Sequence, residues 1–436
     1  MDARRLGEIL GELAHRHRIS VAQCAVRGPG GISVARAGHH DAAGAGGAAE
    51  SVRLPFASVT KLFTAAVALQ LVTDGDLDLD EPVRARLSPW ADAASGVTLR
   101  HLLSHCSGLV CDAPGEPGSA AQAATATAAA GLLFPPGSAF SYSNAGFTVV
   151  GRLIETVTGM SWRQAVTDFL LGPLDIAPAF LGGGPGSGTV RGGHVVTRNG
   201  PVPVAPAVPR AVEPAAALAG RVEDLVAFGG LFLDDRGGAA RALLDDEAVA
   251  AMRQPPFDAV PFGLADAWGL GWALYGTAAD RWLGLDAAGA GTACHLRVHP
   301  ASGTVLAFQA DSAAGAAAWD DLAALLRAEG PAVGMPPAGV TAPGTDAGAD
   351  RALPDCTGRW VNGETVYRIS RTAAGTAVLE DDDGTEYFLS GHGVQVFSAR
   401  PAEKPDTEHL GRFLTDPESG RTTLMQFGGR LMQRAA

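Results

Sequence analysis

Lysine is nearly missing from this chain: of 436 residues only Lys61 and Lys404 are lysines, and the other strong bases are all arginine. The formal net charge is −13, with 33 basic against 46 acidic side chains. That balance excludes nucleic acid and anionic membrane surfaces as expected partners, since both need clustered Lys and Arg. No apolar run is long enough to span a bilayer. The opening stretch, MDARRLGEILGELAHRHRIS, lacks the apolar centre of a secretory leader. Leu6, Ile9, Leu10 and Leu13 recur there at helical spacing between charges, which predicts an amphipathic helix. Five cysteines (Cys24, Cys106, Cys111, Cys294, Cys356) are an odd number without metal-ligand spacing, so each reads as a buried small hydrophobe. No metal or cofactor is expected, and the expected location is the reducing cytoplasm. The sequence carries no signal of oligomeric state.

What is present is a chain too long for one ordinary core, so a large domain and a smaller one are expected. Residues 19–36 read as a strand pair. Ser58 to Val72 (SVTKLFTAAVALQLV) has helical period after Pro55. TLRHLLSHCSGL predicts a short helix ending at Gly108, and residues 111–131 are an Ala-rich excursion without clear period. FPPGSAFSYSN is a turn leading into a helix, AGFTVVGRLIETV. Residues 181–215 are rich in Gly and Pro and read as a disordered stretch or a loop over a binding site. WGLGWALYG, HLRVHP and TVLAFQAD read as strands, with a closing helix in WDDLAALLRAE. This organisation gives a domain at 1–330, a Pro/Gly/Ala linker at 331–354 and a small antiparallel barrel or sandwich at 355–436.

Two motifs carry the chemistry. Ser58-Val59-Thr60-Lys61 opens the first long helix, and a spacing of three puts Lys61 on the same face as Ser58. A serine hydroxyl needs a base, and a desolvated lysine can act as one where arginine cannot. The helix N-terminus favours a developing oxyanion. Taken alone, Ser-x-x-Lys is weak, because serine often caps helices and lysine often decorates them; the scarcity of lysine strengthens it. The second motif is Tyr142-Ser143-Asn144, in a chain with only four tyrosines and three asparagines. A phenol can relay protons, and an amide can hydrogen-bond both a lysine and a substrate carbonyl. The structural alternatives are a core tyrosine and, for Asn144, a helix cap.

PFASVTKLFTAAVALQLVTDGDLDLDEPV, VTLRHLLSHCSGL and FPPGSAFSYSNAGFTVVGRLIETVTG resemble, in order, the signature blocks of the β-lactamase-related serine hydrolases: class C β-lactamases, D-stereospecific peptidases and esterases, allied to the penicillin-binding proteins. The resemblance spans roughly residues 20–330. It implies an α/β fold, an antiparallel sheet flanked by helices with a helical subdomain, and an active site in the cleft between them. By it Ser58 is the nucleophile, Lys61 the base, Tyr142 the proton relay and Asn144 a contact to substrate and Lys61. His101 and His105 match a structural helix of the family. The C-terminal strands are similar to the lipocalin-like barrel appended to several members.

The family's third motif, Lys-Thr-Gly or His-x-Gly, falls on Leu285-Asp286-Ala287 here, so Leu285 replaces the cation or imidazole and Ala287 the glycine. Leu285, Asp286 and Ala288 are the expected substrate contacts, Ala288 through a backbone N–H to the oxyanion. Loss of the cation argues against penicillin-type substrates. His295 and His299 read as ordinary strand residues. The expected activity is acyl transfer through acyl-Ser58 on a small molecule or peptide, free or carried as a thioester on a carrier protein. The layout with a barrel tail looks like the penicillin-binding-protein-type thioesterases, which release and cyclise nonribosomal peptides. The alternatives are a carboxylesterase of the class C β-lactamase type and a catalytically weakened binding module, the latter motivated by Leu285.

Overall fold

The computed structural model describes residues 2–38, 52–183, 189–197, 200–329, 333–336, 353–392, 395–403, 408–416 and 419–435. Lys404 and most of the expected linker at 331–354 lie outside the described residues. The chain divides into two compact units, each built from separated segments. Unit one is Met1–Leu79, Val150–Gln254 and Gly269–Gly334; unit two is Asp80–Val149, Pro255–Trp268 and Met335–Ala436.

Unit one is organised on antiparallel strands β1 (Val21–Gly28), β2 (Gly31–Gly38), β3 (Ala273–Thr277), β4 (Asp280–Gly289), β5 (Thr292–His299) and β6 (Thr304–Ala310). They run in the order β2-β1-β6-β5-β4-β3, so the first of these strands pairs with the last, Ala22 opposite Ala310. The amphipathic helix α1 (Ala3–Arg16) buries Leu6, Ile9, Leu10 and Leu13, and Asp2 caps it by accepting from the Arg5 N–H at 2.8 Å. Together with the helix Gly315–Glu329 it covers one face of the sheet. The helix Val222–Gly229 and the turn Ala57–Val59 cover the other. Covered on both faces, β1 reads as a buried run rather than an alternation.

Helix α2 (Thr60–Thr73) follows that turn, and every residue from Thr60 to Leu69 is buried. Apolar and small side chains all round make it a helix that must sit inside the unit. Residues 181–215, expected without regular structure, contain a hairpin of Gly193–Thr197 with Gly200–Val204; 184–188 and 198–199 lie outside the described residues.

In unit two, eight consecutive antiparallel strands from Gly358–Asn362 to Arg430–Arg434 close into a barrel, Trp360 of the first facing Arg434 of the last. Trp360, Leu379, Phe397, Phe413, Met425 and Met432 pack its interior. The Ala-rich excursion holds a helix, Ala120–Ala129, capped by Ser119. The short helix Leu99–Leu103 stops before Gly108. His105, at φ +58°, already turns the chain. Gly108, at φ +76°, is needed for a close approach, since a Cβ there would lie 2.1 Å from the Phe134 carbonyl oxygen. All five cysteines are free and buried.

Candidate active site

Ser58 sits in a 3₁₀ turn, Ala57–Val59, that tightens the entry to α2. Ala57 has φ +46°, a conformation that a residue with a Cβ adopts only when its surroundings enforce it. The turn lies close against β4: a Cβ on Gly289 would meet the Ala57 Cβ at 3.4 Å. One turn on, Lys61 is 1% exposed, and its Nζ lies 3.2 Å from Ser58 Oγ. The same amine donates to the Ala215 carbonyl oxygen at 3.1 Å. Sequence spacing alone predicted the shared face; the carbonyl partner had no sequence signal.

The segment that supplies this carbonyl is strapped to α2. Thr64 Oγ1 donates to the Pro214 carbonyl at 2.7 Å and accepts from Trp162 Nε1 at 3.0 Å. The Leu218 N–H reaches Thr60 Oγ1 at 3.1 Å, and the Leu218 carbonyl accepts from the Phe56 N–H at 2.8 Å. Thr60 and Thr64, buried polar residues in a mostly apolar helix, thus have their hydroxyls satisfied by the strap.

Strand β4 carries the three third-motif candidates. Its pairing with β3 ends at Gly284, opposite Ala273, while its pairing with β5 continues to Gly289 opposite Thr292. Both hairpins have two-residue loops, so Gly289, Ala287 and Leu285 exchange hydrogen bonds with β5, and the N–H of Ala288 turns to the other edge. That orientation suits an oxyanion donor. Leu285 and Ala287 share the face of Gly289, the face against Ala57; Leu285 is 3% exposed and lies opposite Leu296.

Asp286 projects to the opposite face, away from that turn. Its carboxylate accepts from Arg297 Nη2 at 2.7 Å and from Tyr275 Oη at 3.4 Å, and it pairs with His295 Nδ1 at 2.7 Å. Arg297 is wholly buried and also donates to the carbonyls of Gly334, at 2.6 Å, and Leu296, at 3.0 Å. Its guanidinium lies over Tyr275, 4.3 Å from the ring centroid. Burial alone would raise the Asp286 carboxyl, but Arg297 and His295 outweigh it and hold it well below the usual carboxylate range. His295 stacks on Trp319 at 4.9 Å, so it belongs to this ionic cluster; His299 bonds Ser302 and Asp280 at the strand ends.

Tyr142 and Asn144 lie in unit two, where the barrel fastens the backbone at Tyr142. The Tyr142 N–H donates to the Gly429 carbonyl at 2.9 Å, and the Leu431 N–H donates to Ser141 Oγ at 3.1 Å. Ser143, and not Asn144, caps the following helix: its Oγ accepts from the Gly146 N–H at 2.9 Å. The Asn144 amide is left for Asp112, to which its Nδ2 donates at 2.8 Å. The other Asp112 oxygen is 3.2 Å from Arg430 Nη2, a cation brought in by the barrel. His105 Nδ1 accepts from the Ser143 N–H at 3.1 Å, and its ring lies 4.2 Å from that of Tyr142. His101 Nδ1 meets Thr98 in a capping box, which is a structural role. The sequence offered no pointer to Asp112 or Arg430. Among the described residues no group of three His, Cys, Asp or Glu side chains is placed to hold a metal.

Residues 6–329 match the family described as Beta-lactamase. Penicillin-binding protein 4 of Amycolatopsis lactamdurans is 32% identical over 308 residues, 64% of this chain and 77% of that protein. The crystal structure of SurE superposes with a TM-score of 0.86 at 36% identity over 99% of both chains, and that of SurE with D-Leu with 0.83 at 35%. The octameric penicillin-binding protein homologue from Pyrococcus abyssi covers 99% of this chain with a TM-score of 0.64; at 17% identity the likeness is one of fold.

Proposed function

Since the chain belongs to the beta-lactamase family of serine hydrolases, we propose that it transfers acyl groups through an ester on Ser58, taking a peptide or peptidyl thioester as donor. The observation that carries this reading is the buried Lys61 amine 3.2 Å from a partly exposed Ser58 hydroxyl, on a turn whose Ala57 has positive φ. Lys61 Nζ accepts the Oγ proton as Oγ bonds to the substrate carbonyl carbon. The carbonyl electron pair moves to oxygen, where the N–H groups of Ser58 and Ala288 hold it. Collapse expels the leaving group with a proton and leaves acyl-Ser58. Water or an amine then attacks the acyl carbon, gives up a proton and frees Ser58, yielding a hydrolysed or a cyclised product. Tyr142 and Asn144 take the roles of proton relay and amide contact on the strength of their motif.

The preference for a peptide with a D-residue rests on similarity to SurE along nearly the whole chain, a protein whose structure has been solved with D-Leu. Leu285 supports a donor that needs no cation at the third motif. No helix among the described residues is long and apolar enough to cross a membrane.

The test is intact-mass analysis after incubation with a fluorophosphonate, a penicillin, an activated acyl ester and a peptidyl thioester ending in a D-residue. An adduct or turnover that disappears in Ser58→Ala is the expected result. A folded wild type that forms no adduct and turns over none of these would refute the enzyme and favour a binding module. Turnover of the simple ester alone would favour a carboxylesterase. Linear against cyclic product from the thioester separates hydrolase from cyclase.

A further inference from the structure

Arg163 lies outside every motif of the sequence, yet its guanidinium fastens the segment that holds the candidate base. Its Nε and Nη2 fork onto the Glu213 carboxylate at 3.0 and 2.9 Å. Nη2 also donates to the Leu181 carbonyl at 2.9 Å, and Nη1 donates to the Gly183 carbonyl. The group stacks over Phe180, 4.8 Å from the ring centroid. One side chain therefore ties the chain leading into the stretch after Gly183 to the chain leaving it at Glu213.

Beyond Glu213 the chain becomes the strap across α2. Pro214 lends its carbonyl to Thr64 and its ring to the groove beside Gly151, where a Cβ would stand 2.1 Å from Pro214 Cγ. Ala215 is fully buried and lends its carbonyl to Lys61. The Leu181 N–H donates to the Ala217 carbonyl at 2.8 Å, closing the clamp. The Ala215 oxygen and Ser58 Oγ share the same amine, so the position of that oxygen helps to aim Nζ at the hydroxyl.

We propose that Arg163 and Glu213 are positioning residues for proton transfer at Ser58, acting through the Pro214–Ala215 strap on Lys61. The proposal rests on the reading of Ser58 and Lys61 as nucleophile and base. A bidentate Arg–carboxylate fork fixes direction as well as distance, which lysine at position 163 cannot reproduce. A fork that served stability alone would change the melting temperature and leave the pH dependence of Ser58 acylation where it was.

The measurement is the rate of fluorophosphonate labelling of Ser58, followed by intact mass from about pH 5.5 to 9.5, a range centred near neutrality where general bases operate, for wild type, Arg163→Ala, Arg163→Lys and Glu213→Gln, each below its melting temperature. In Arg163→Ala the maximal rate falls about tenfold or more with little change in reagent affinity, and its acid limb moves by about one pH unit, the scale of one lost hydrogen bond to a charged group. Added guanidinium ion recovers part of the rate. Glu213→Gln, which keeps the shape of the side chain but leaves one acceptor oxygen where the fork needs two, shows a smaller shift of the same sign. Profiles in both that superimpose on wild type overturn the proposal; if Arg163→Ala does not fold, the Glu213→Gln and Arg163→Lys profiles decide it. A wild type without label at Ser58 would instead overturn the functional reading on which it rests.

Discussion

Replacing Arg297 with methionine removes a fully buried guanidinium from beneath β4 and leaves the Asp286 carboxylate with His295 and a weak Tyr275 contact. Breaking a buried pair by deleting one partner costs about 3–5 kcal/mol, because the other charge stays desolvated. Here the Asp286 side chain keeps 32% of its exposure, so about 2–3 kcal/mol is expected. For a unit of this size that lowers the melting temperature by about 4–12 °C. In the double variant Asp286→Asn, Arg297→Met no charge is stranded, and about half of the loss should return. The pH dependence has a definite sign. The Asp286 carboxyl is held below its unfolded value, so its contribution is complete above about pH 4 and lost as pH falls further. Without Arg297 that depression shrinks, and the gap between wild type and variant should narrow below about pH 4. Thermal and urea unfolding at about pH 7 and about pH 3.5, either side of that boundary, read by far-ultraviolet circular dichroism, measures both effects. A single variant no less stable than the double one, or a gap that widens in acid, would refute the account of the cluster.

Lys61→Arg keeps a cation at the site but removes a deprotonatable amine, so fluorophosphonate labelling of Ser58 should slow by about 10²–10⁴-fold at about pH 8; an unchanged rate means another base. Leu285→His should change the ratio of kcat/KM for the acyl ester to that for the D-terminated peptide thioester, since Leu285 lies on the face of β4 that meets the nucleophile turn; a constant ratio would remove Leu285 from the substrate contacts. Gly151→Ala gains about 1 kcal/mol of helix propensity but drives a methyl to 2.1 Å from Pro214 Cγ. Overpacking should win, with a lower melting temperature and a still larger loss of acylation rate; a stabilised, fully active variant would mean that the strap yields freely.

Where sequence reasoning succeeded, local pattern and chemistry agreed. The α2 residues repeat apolar and small side chains without a polar face, and a lone lysine three residues after a serine marked one edge of it. The barrel strands announced themselves by turns at regular spacing, and all eight close in chain order. Ala120–Ala129 escaped notice because alanine shows no periodicity to a reader of polarity, although Ser119 was in place to cap it. Asp286 was placed with Leu285 as a substrate contact because a motif names consecutive residues, whereas a strand sends consecutive side chains to opposite faces. Asn144 as the helix cap was an error of one residue, Ser143 having the better reach. Arg430 and the strap on Lys61 were out of range altogether: contacts such as Leu431 to Ser141, 290 residues apart, leave no local trace.

Asn362 in the barrel accepts from the Cys111 N–H at 2.7 Å and donates to Ser141 Oγ, at 3.4 Å, and to the Leu431 carbonyl, at 2.8 Å. Gln426 and Gln433 donate to the carbonyls of Phe140 and Leu133. The Tyr-x-Asn turn therefore borrows its backbone partners from the last third of the chain, and a protein truncated before Cys356 would leave these groups without them. The barrel and residues 110–144 are thus held together as one structural piece. A chimera that exchanges barrels between relatives must exchange that turn with them, and in any lineage that sheds the barrel the turn must find a new splint.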